Sequence, residues 1–374
     1  MSSPVAHFDR IAAEPLRYQP SFEQVEADEP VINAQLIDTI NRIQSKVHAD
    51  SGHAKRGVHA KSHGIVVGEF RVLDELPAVL AQGLFAKPAT YPAVLRFSTI
   101  PGDVLDDNVS VPRGLAVKVI GVHGQRVDGS LNDVTQDFAL ANGPVFAKPD
   151  PKSFSTTLKL LATTTDKAPG LKRALSAVMR GAEKLLESVG SQSSTVMTLG
   201  GYPETNLLGD SYYSQTPILF GDYIAKVSVQ PHSPSLQALI KAPLGGKGRP
   251  DRLREAVIEF FTANSGEWDV LVQLCTDIES MPIEDASVPW PEDKSPYIPV
   301  ARISVLKQLE WNNVRETLMD ETLSFSPWHA LAAHRPLGAI NRVRKMVYDN
   351  AVRFRAQHNG VSIEEPRSLE DLPR

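Results

Sequence analysis

Four side chains of this sequence could do chemistry together: His59, Ser98, Asn142 and Tyr348. His59 lies in RGVHAKSHGIVVGEF, residues 56–70, at the start of an alternating run that reads as a strand. With Gly57 and Gly64 nearby, its ring has little bulk around it and can face a cavity. There an imidazole can serve as acid and base, provided a second group orients it. Ser98, at the end of the next strand signal, offers a hydroxyl for that purpose, and Arg96 falls on the same strand face. Asn142, in LANGPVF, could bind a small oxygen ligand, although Asn-Gly is also an ordinary turn pair. In RKMVYDNAVRFR, Arg344 and Tyr348 are one helical turn apart and Arg355 follows two turns on. A guanidinium beside a phenol favours the phenolate, a hard anionic donor suited to a ferric ion. Each motif alone has a bland alternative: a histidine satisfied by backbone, a strand-end serine, an amphipathic helix with solvated arginines. His53 and His63 show no metal-ligand pattern and read as surface or structural residues.

The elements that must hold these groups follow from periodicity. Apolar residues at helical spacing predict a helix over 29–47, and others over 251–264 (with Asp251 as its cap) and 340–357. A short helix is expected over 75–84, and a longer one over 158–189, split near Pro169, with Leu171, Leu175, Val178, Leu185 and Leu186 on its apolar face. Strands are expected at 64–72, 93–98, 114–122, 218–229, 268–276 and 298–306, with strand, turn, strand over 137–146. Residues 202–213 read as loop. Strands in both halves with helices between them suggest an α+β domain built on a long-range antiparallel barrel.

Composition is that of a globular protein, 42% hydrophobic and 22% charged. The net charge of −5 points away from bulk nucleic-acid binding. The single cysteine, Cys275, sits in an apolar run and reads as a buried, inert thiol. No stretch approaches the ~20 apolar residues of a membrane span and the N-terminus has no apolar leader core, so a cytoplasmic location is the default expectation.

The order of the motifs carries more than any one of them. RGVHAK at 56–61, RFST at 96–99, PRGLAVK at 112–118, NGPVF at 142–146, DPKSF at 150–154, WPEDKSPYIPV at 290–300 and RKMVY at 344–348 together resemble the haem catalase family over about residues 50–357. The resemblance implies a catalase-like antiparallel eight-stranded β-barrel with surrounding helices and a buried haem b. It divides the chain into an N-terminal arm and helix (1–50), a barrel domain (51–310) with a helical insertion near 155–195, and a C-terminal wrapping segment (311–374) carrying the proximal helix.

By that match His59 is the distal histidine, Ser98 its hydrogen-bond partner and Asn142 the distal amide. Tyr348 is the iron ligand, the axial residue catalases use, with Arg344 beside it. Arg56, Arg96 and Arg355 hold the haem propionates, Phe154 stacks on the porphyrin, and Val58 and Phe146 complete the cofactor pocket. The implied activity is decomposition of hydrogen peroxide or reduction of organic hydroperoxides through an oxoferryl intermediate. A fatty-acid hydroperoxide isomerase of the allene oxide synthase kind and a non-catalytic haem protein are the alternatives. Val58, where those isomerases have threonine, argues against the first of these. Departures from the family pattern also matter. A gapless match puts Ala141 rather than Asn142 at the amide position, Val111 stands in place of a channel aspartate, and Ala147 in place of a second phenylalanine. An apolar entry of that kind suits an organic hydroperoxide. No NADPH site is assigned, and a homo-oligomer is left open.

Overall fold

The computed structural model describes residues 14–162, 202–308 and 312–373. Its strands, β1 (Ser62–Val72), β2 (Thr90–Thr99), β3 (Arg113–Ile120), β4 (Thr135–Ala141), β5 (Tyr212–Tyr213), β6 (Ile218–Phe220), β7 (Tyr223–Pro231), β8 (Gly266–Leu274) and β9 (Ile298–Val305), form one antiparallel sheet. The lateral order is β5-β4-β3-β2-β1-β9-β8-β7-β6, and β5 also pairs with β7. That extra pairing closes eight strands into a barrel, while β6 is the outer arm of a hairpin turned at Gly221. The closing strand is two residues long: Tyr213 pairs with Ala141 on one side and Ser228 on the other.

A barrel of eight strands is just wide enough for side chains to fill. Phe70, Phe85, Phe97, Phe138, Phe220 and Trp268 join one continuous buried core. The pleat then sends alternate residues outward. On β2, Leu95 and Phe97 belong to the core, while Arg96 and Ser98 line a cavity outside it.

The outer wall of that cavity is helical. Helices α1 (Glu29–Ser51), α2 (Pro151–Ala162) and α5 (Ala339–Asn359) share a second apolar cluster of Ile32, Leu36, Ile40, Ile43, Val47, Leu158, Val343 and Ala351. Helix α1 stops at Gly52, in the left-handed conformation (φ 68°), whose N–H bonds to His48 O at 2.8 Å. Helix α3 (Arg252–Ala263) packs against β1, and α4 (Asn313–Thr322) reaches the cavity edge with its C-terminus. No described helix is long and apolar enough to cross a membrane.

The helices expected over 29–47, 251–264 and 340–357 are present, as are most of the strands. Five local readings are corrected. Residues 75–84 form turns and a 3-10 segment (Gly83–Phe85), because Glu75 is left-handed (φ 56°) and the bonds to Pro77 O complete a single turn. No second strand follows β4: the carbonyls of Gly143 and Val145 are taken by the Gln215 side chain instead of a neighbouring strand. The run 218–229 is a hairpin, β6 and β7, broken at Gly221. The 202–213 loop contains β5, the strand that closes the barrel. Asp251 does not cap α3. It pairs with Lys61 at 2.9 Å, and Asp107 Oδ2 accepts from the Leu253 N–H at 2.8 Å in its place. Of the helix expected over 158–189, residues 163–189 lie outside the described residues, including Leu171, Leu175, Val178, Leu185 and Leu186. Cys275 is buried, and burial pushes its thiol up to about 12.

Candidate active site

Between the barrel and the three helices lies a cavity of about 1370 Å³, counting its open mouth. Its walls are mostly apolar, with a few polar groups converging on it, the usual make-up of a ligand site. From the barrel side come Arg56, Val58, His59, Arg96 and Ser98, and from α5 come Arg344, Tyr348 and Arg355. Phe146 and Phe154 also line it, their rings edge to face at 5.1 Å.

His59 is set by its backbone. It lies in the bend before β1 rather than in the strand, with φ 55°. Histidine tolerates the left-handed region better than most residues. Three hydrogen bonds hold it there: His59 N to Ile100 O (2.7 Å), Ala60 N to Pro101 O (3.0 Å) and Arg96 Nη2 to His59 O (2.9 Å). The ring Nδ1 meets Ser98 Oγ at 3.0 Å. When Nδ1 carries the proton, Nε2 is left as the lone-pair acceptor. The ring also needs Gly114, because a Cβ there would lie 2.3 Å from His59 Cε1.

Burial first, then the positive charges of Arg96, Arg344 and Arg56, lower the His59 pKa to about 3. The imidazole is therefore neutral at physiological pH. An unfolded chain binds this proton near ~6.5. Folding is thus weakened as pH falls from that value toward 3. In a histidine-resolved NMR titration the His59 ring should stay neutral down to at least pH 5. A midpoint near 6.5 would show that the site does not exclude its charge.

Arg56, Arg96 and Arg355 converge on the C-terminus of α4. Arg96 Nε and Arg56 Nη2 bind Asp320 Oδ1 at 2.7 and 3.1 Å. Arg355 and Arg56 also donate to the backbone carbonyls of Asp320 and Leu323. Helix-end carbonyls lack partners within the helix and carry the negative end of its dipole, so guanidiniums suit them. Burial acts to raise the Asp320 pKa, but attraction to Arg96 and Arg56 outweighs it and holds the carboxyl well below its usual range. Arg56 and Arg96 thus share one side-chain carboxylate, while Arg355 binds backbone carbonyls at the end of α4. Arg56 Nη1, Arg96 Nη1 and Arg355 Nε keep no partner among the described residues, and none of them is fully sealed from the cavity. That excess of positive charge fits carboxylates on a bound molecule.

On α5, Arg344 Nη1 donates to Thr216 Oγ1 (3.2 Å) and Asn341 Oδ1 (3.3 Å), and its guanidinium lies 5.6 Å from the Phe146 ring centre. Asn341 is buried and its own amide donates to Pro217 O and Leu337 O, which fixes its carbonyl toward Arg344. The Tyr348 hydroxyl has no hydrogen-bond partner among the described residues. A half-buried phenol usually has one, so an unpartnered hydroxyl on a cavity wall fits a metal or ligand donor.

Ten of the eleven residues expected at the site therefore meet in one cavity. Asn142 does not. Its Oδ1 accepts from the Arg113 N–H at 2.8 Å and its Nδ2 donates to Asp210 Oδ2 at 2.9 Å, so its amide is consumed structurally. Ala141 occupies the cavity wall instead, as the gapless match has it. His63 is buried away from the cavity, and His53 pairs with Glu321 at 2.8 Å. Asp320, Thr216, Gln215, Asn341 and Phe325 went unnoticed in the sequence. None lies in a motif, and each matters through contacts made by distant segments.

The closed antiparallel eight-stranded barrel with its flanking helices is a catalase-like fold. The solved structures it resembles include catalase A from Saccharomyces cerevisiae (TM-score 0.56, 18% identity), matched over 92% of this chain and 67% of that one. A fungal catalase (0.56, 18%; 88% and 68%) and a bacterial catalase (0.57, 15%; 94% and 66%) are similar to the same degree. This chain thus spans about two thirds of the length of those catalases. No family model matches the sequence, and no curated protein does. At these identities the likeness establishes the fold.

Proposed function

We propose that this chain is a catalase-like haem peroxidase that acts on hydroperoxides, organic ones in preference to hydrogen peroxide. The observation that carries this reading is the meeting of a neutral, oriented His59 and an unpartnered Tyr348 hydroxyl in one cavity edged by three arginines. Haem b would be held by Tyr348 at its iron, by Arg56, Arg96 and Arg355 at its carboxylates, and by Val58, Phe146 and Phe154 against its ring. When bound, its iron supplies the two-electron redox chemistry that no side chain here offers.

The remaining roles belong to this chain. His59 Nε2 takes the proton of the hydroperoxide, and Ser98 holds the ring in the tautomer that lets it do so. The same nitrogen then returns the proton to the departing oxygen, which leaves as water or an alcohol. Arg344, fixed by Thr216 and Asn341, keeps its guanidinium one helical turn from Tyr348 on the cavity wall. Ile100, Leu115 and Ala141 exclude water and receive the organic part of the substrate. A cytoplasmic location and the division into segments 1–50, 51–310 and 311–374 belong to the same proposal. A second reading, a haem protein without turnover, is favoured by Ala141, which removes an amide donor from the cavity.

The test is Tyr348→Phe, with absorption spectra of the purified proteins. Wild type should carry a haem band that responds to an alkyl hydroperoxide. The variant should lose haem content or show a changed ligand spectrum, with unfolding temperature little altered. An unchanged spectrum in the variant would refute Tyr348 as the donor. A wild-type spectrum that ignores every peroxide would favour the second reading.

A further inference from the structure

Among the described residues that line the cavity, one polar side chain has no part in the proposed chemistry. Gln215 is 9% exposed, lines the cavity and has φ 63°. Thr216 N bonds to Ser214 O at 2.7 Å, so Gln215 sits at the centre of a three-residue turn with positive φ, a rare and strained form. Such strain persists only where the surroundings over-determine it. Here they do. Ser214 N bonds to Val227 O (2.8 Å), Val227 N to Ser214 Oγ (3.1 Å), and Ser214 Oγ to Thr216 O (2.9 Å), which anchors the turn on β7.

The orientation of the amide is fixed as well. Two backbone carbonyls, Gly143 O at 3.1 Å and Val145 O at 2.6 Å, both need a donor, so the nitrogen must face them. Both N–H groups are then committed. Oε1 is left with two lone pairs and no donor among the described residues, on a residue of the cavity wall. Ala141 and Asn142, at the end of β4 that pairs with β5, do not satisfy it. Ala141 has no polar side chain, and the Asn142 amide is held by Arg113 and Asp210.

We propose that Gln215 Oε1 is the recognition point for an apolar organic molecule bearing a hydroxyl, which it binds as acceptor of the O–H. This names the ligand class of the cavity and rests on the cavity being the functional site. The apolar lining takes the carbon skeleton, and the Gln215 acceptor selects the hydroxyl.

The probes are phenol and anisole, which share a ring and differ in the O–H. Their affinities for the purified protein, with its natural cavity contents, are measured by calorimetry. Phenol should bind wild type roughly tenfold tighter than anisole, as expected for one added hydrogen bond at the cavity wall. In Gln215→Leu the ratio should fall to near one through loss of phenol affinity, with anisole affinity held within about twofold. Equal affinities in wild type overturn the proposal. So does a preference that survives in Gln215→Leu, since another group would then bind the hydroxyl. Should that variant misfold, Gln215→Met repeats the test, and the wild-type comparison stands without either. Hydroperoxide reactivity is followed separately by absorption. Phenol preference without peroxide reactivity would refute the proposed reaction and leave the Gln215 site standing; peroxide reactivity without preference would do the reverse.

Discussion

His59→Ala should slow the reaction with an alkyl hydroperoxide by about 10²–10⁴-fold, the range for loss of a positioned acid–base. The expectation follows from the site rather than from the residue type. Ser98 holds Nδ1, Arg96 holds the backbone carbonyl, and burial with nearby arginines keeps the ring neutral, with Nε2 free as an acceptor. Removal of the ring takes away the cavity's oriented base. Gln215 Oε1, an amide oxygen, is far too weak a base to replace it. Stopped-flow absorption on variant and wild type, matched for haem content, gives the ratio. Retention of most of the rate would refute His59 as the proton carrier.

The largest expected effect on stability lies outside the cavity. Lys118 is fully buried on β3, and its ammonium binds both Asp137 oxygens (2.8 and 2.9 Å) and Glu365. His329 Nδ1 joins at 2.9 Å from Asp137. Asp137, His329 and Glu365 are close enough to hold a metal ion, but the lysine already supplies the positive charge among them. Burial acts to lower the Lys118 pKa, and attraction to Asp137 and Glu365 overrides it, leaving the ammonium more basic than usual. Lys118→Met would leave two carboxylates facing one imidazole. Breaking a buried pair from one side costs about 3–5 kcal/mol. Urea unfolding at pH 7 should register that loss, and Glu365→Gln on the same background should recover part of it. A change below about 1 kcal/mol would show that the cluster relaxes into solvent.

What the sequence revealed and what it hid divide along the range of the interactions involved. Tyr348 and Arg344 were legible because a helix fixes their relation within one turn. His59, Ser98 and Arg96 were legible because strand ends and flanking glycines mark them. Asn142 was misplaced because a one-residue shift at the end of β4 decides which side chain faces the cavity, and that choice is made by Arg113 and Asp210. Asp320 could not be read, since its partners come from the pre-β1 segment, β2 and α5. The two-residue strand β5 carries too little periodicity to register, yet the barrel cannot close without it. Gln215 had no signal of its own, because its conformation is imposed by β7 and the loop at 143–145.

The strand order also constrains how the protein can be made. Strands β1 to β4 are consecutive neighbours and can pair as they leave the ribosome. The free edge of β1 waits for β9, and that of β4 waits for the small strand β5. Synthesis proceeds at about 5–20 residues per second, so a half-built sheet with two bare edges persists for many seconds. Unpaired edges of this kind invite other chains to add to them. Helix α5, with Tyr348 and Arg355, emerges later still. Whatever enters the cavity is therefore enclosed only after nearly the whole chain has been translated, and folding yield should depend on edge-shielding chaperones more than on the supply of that molecule.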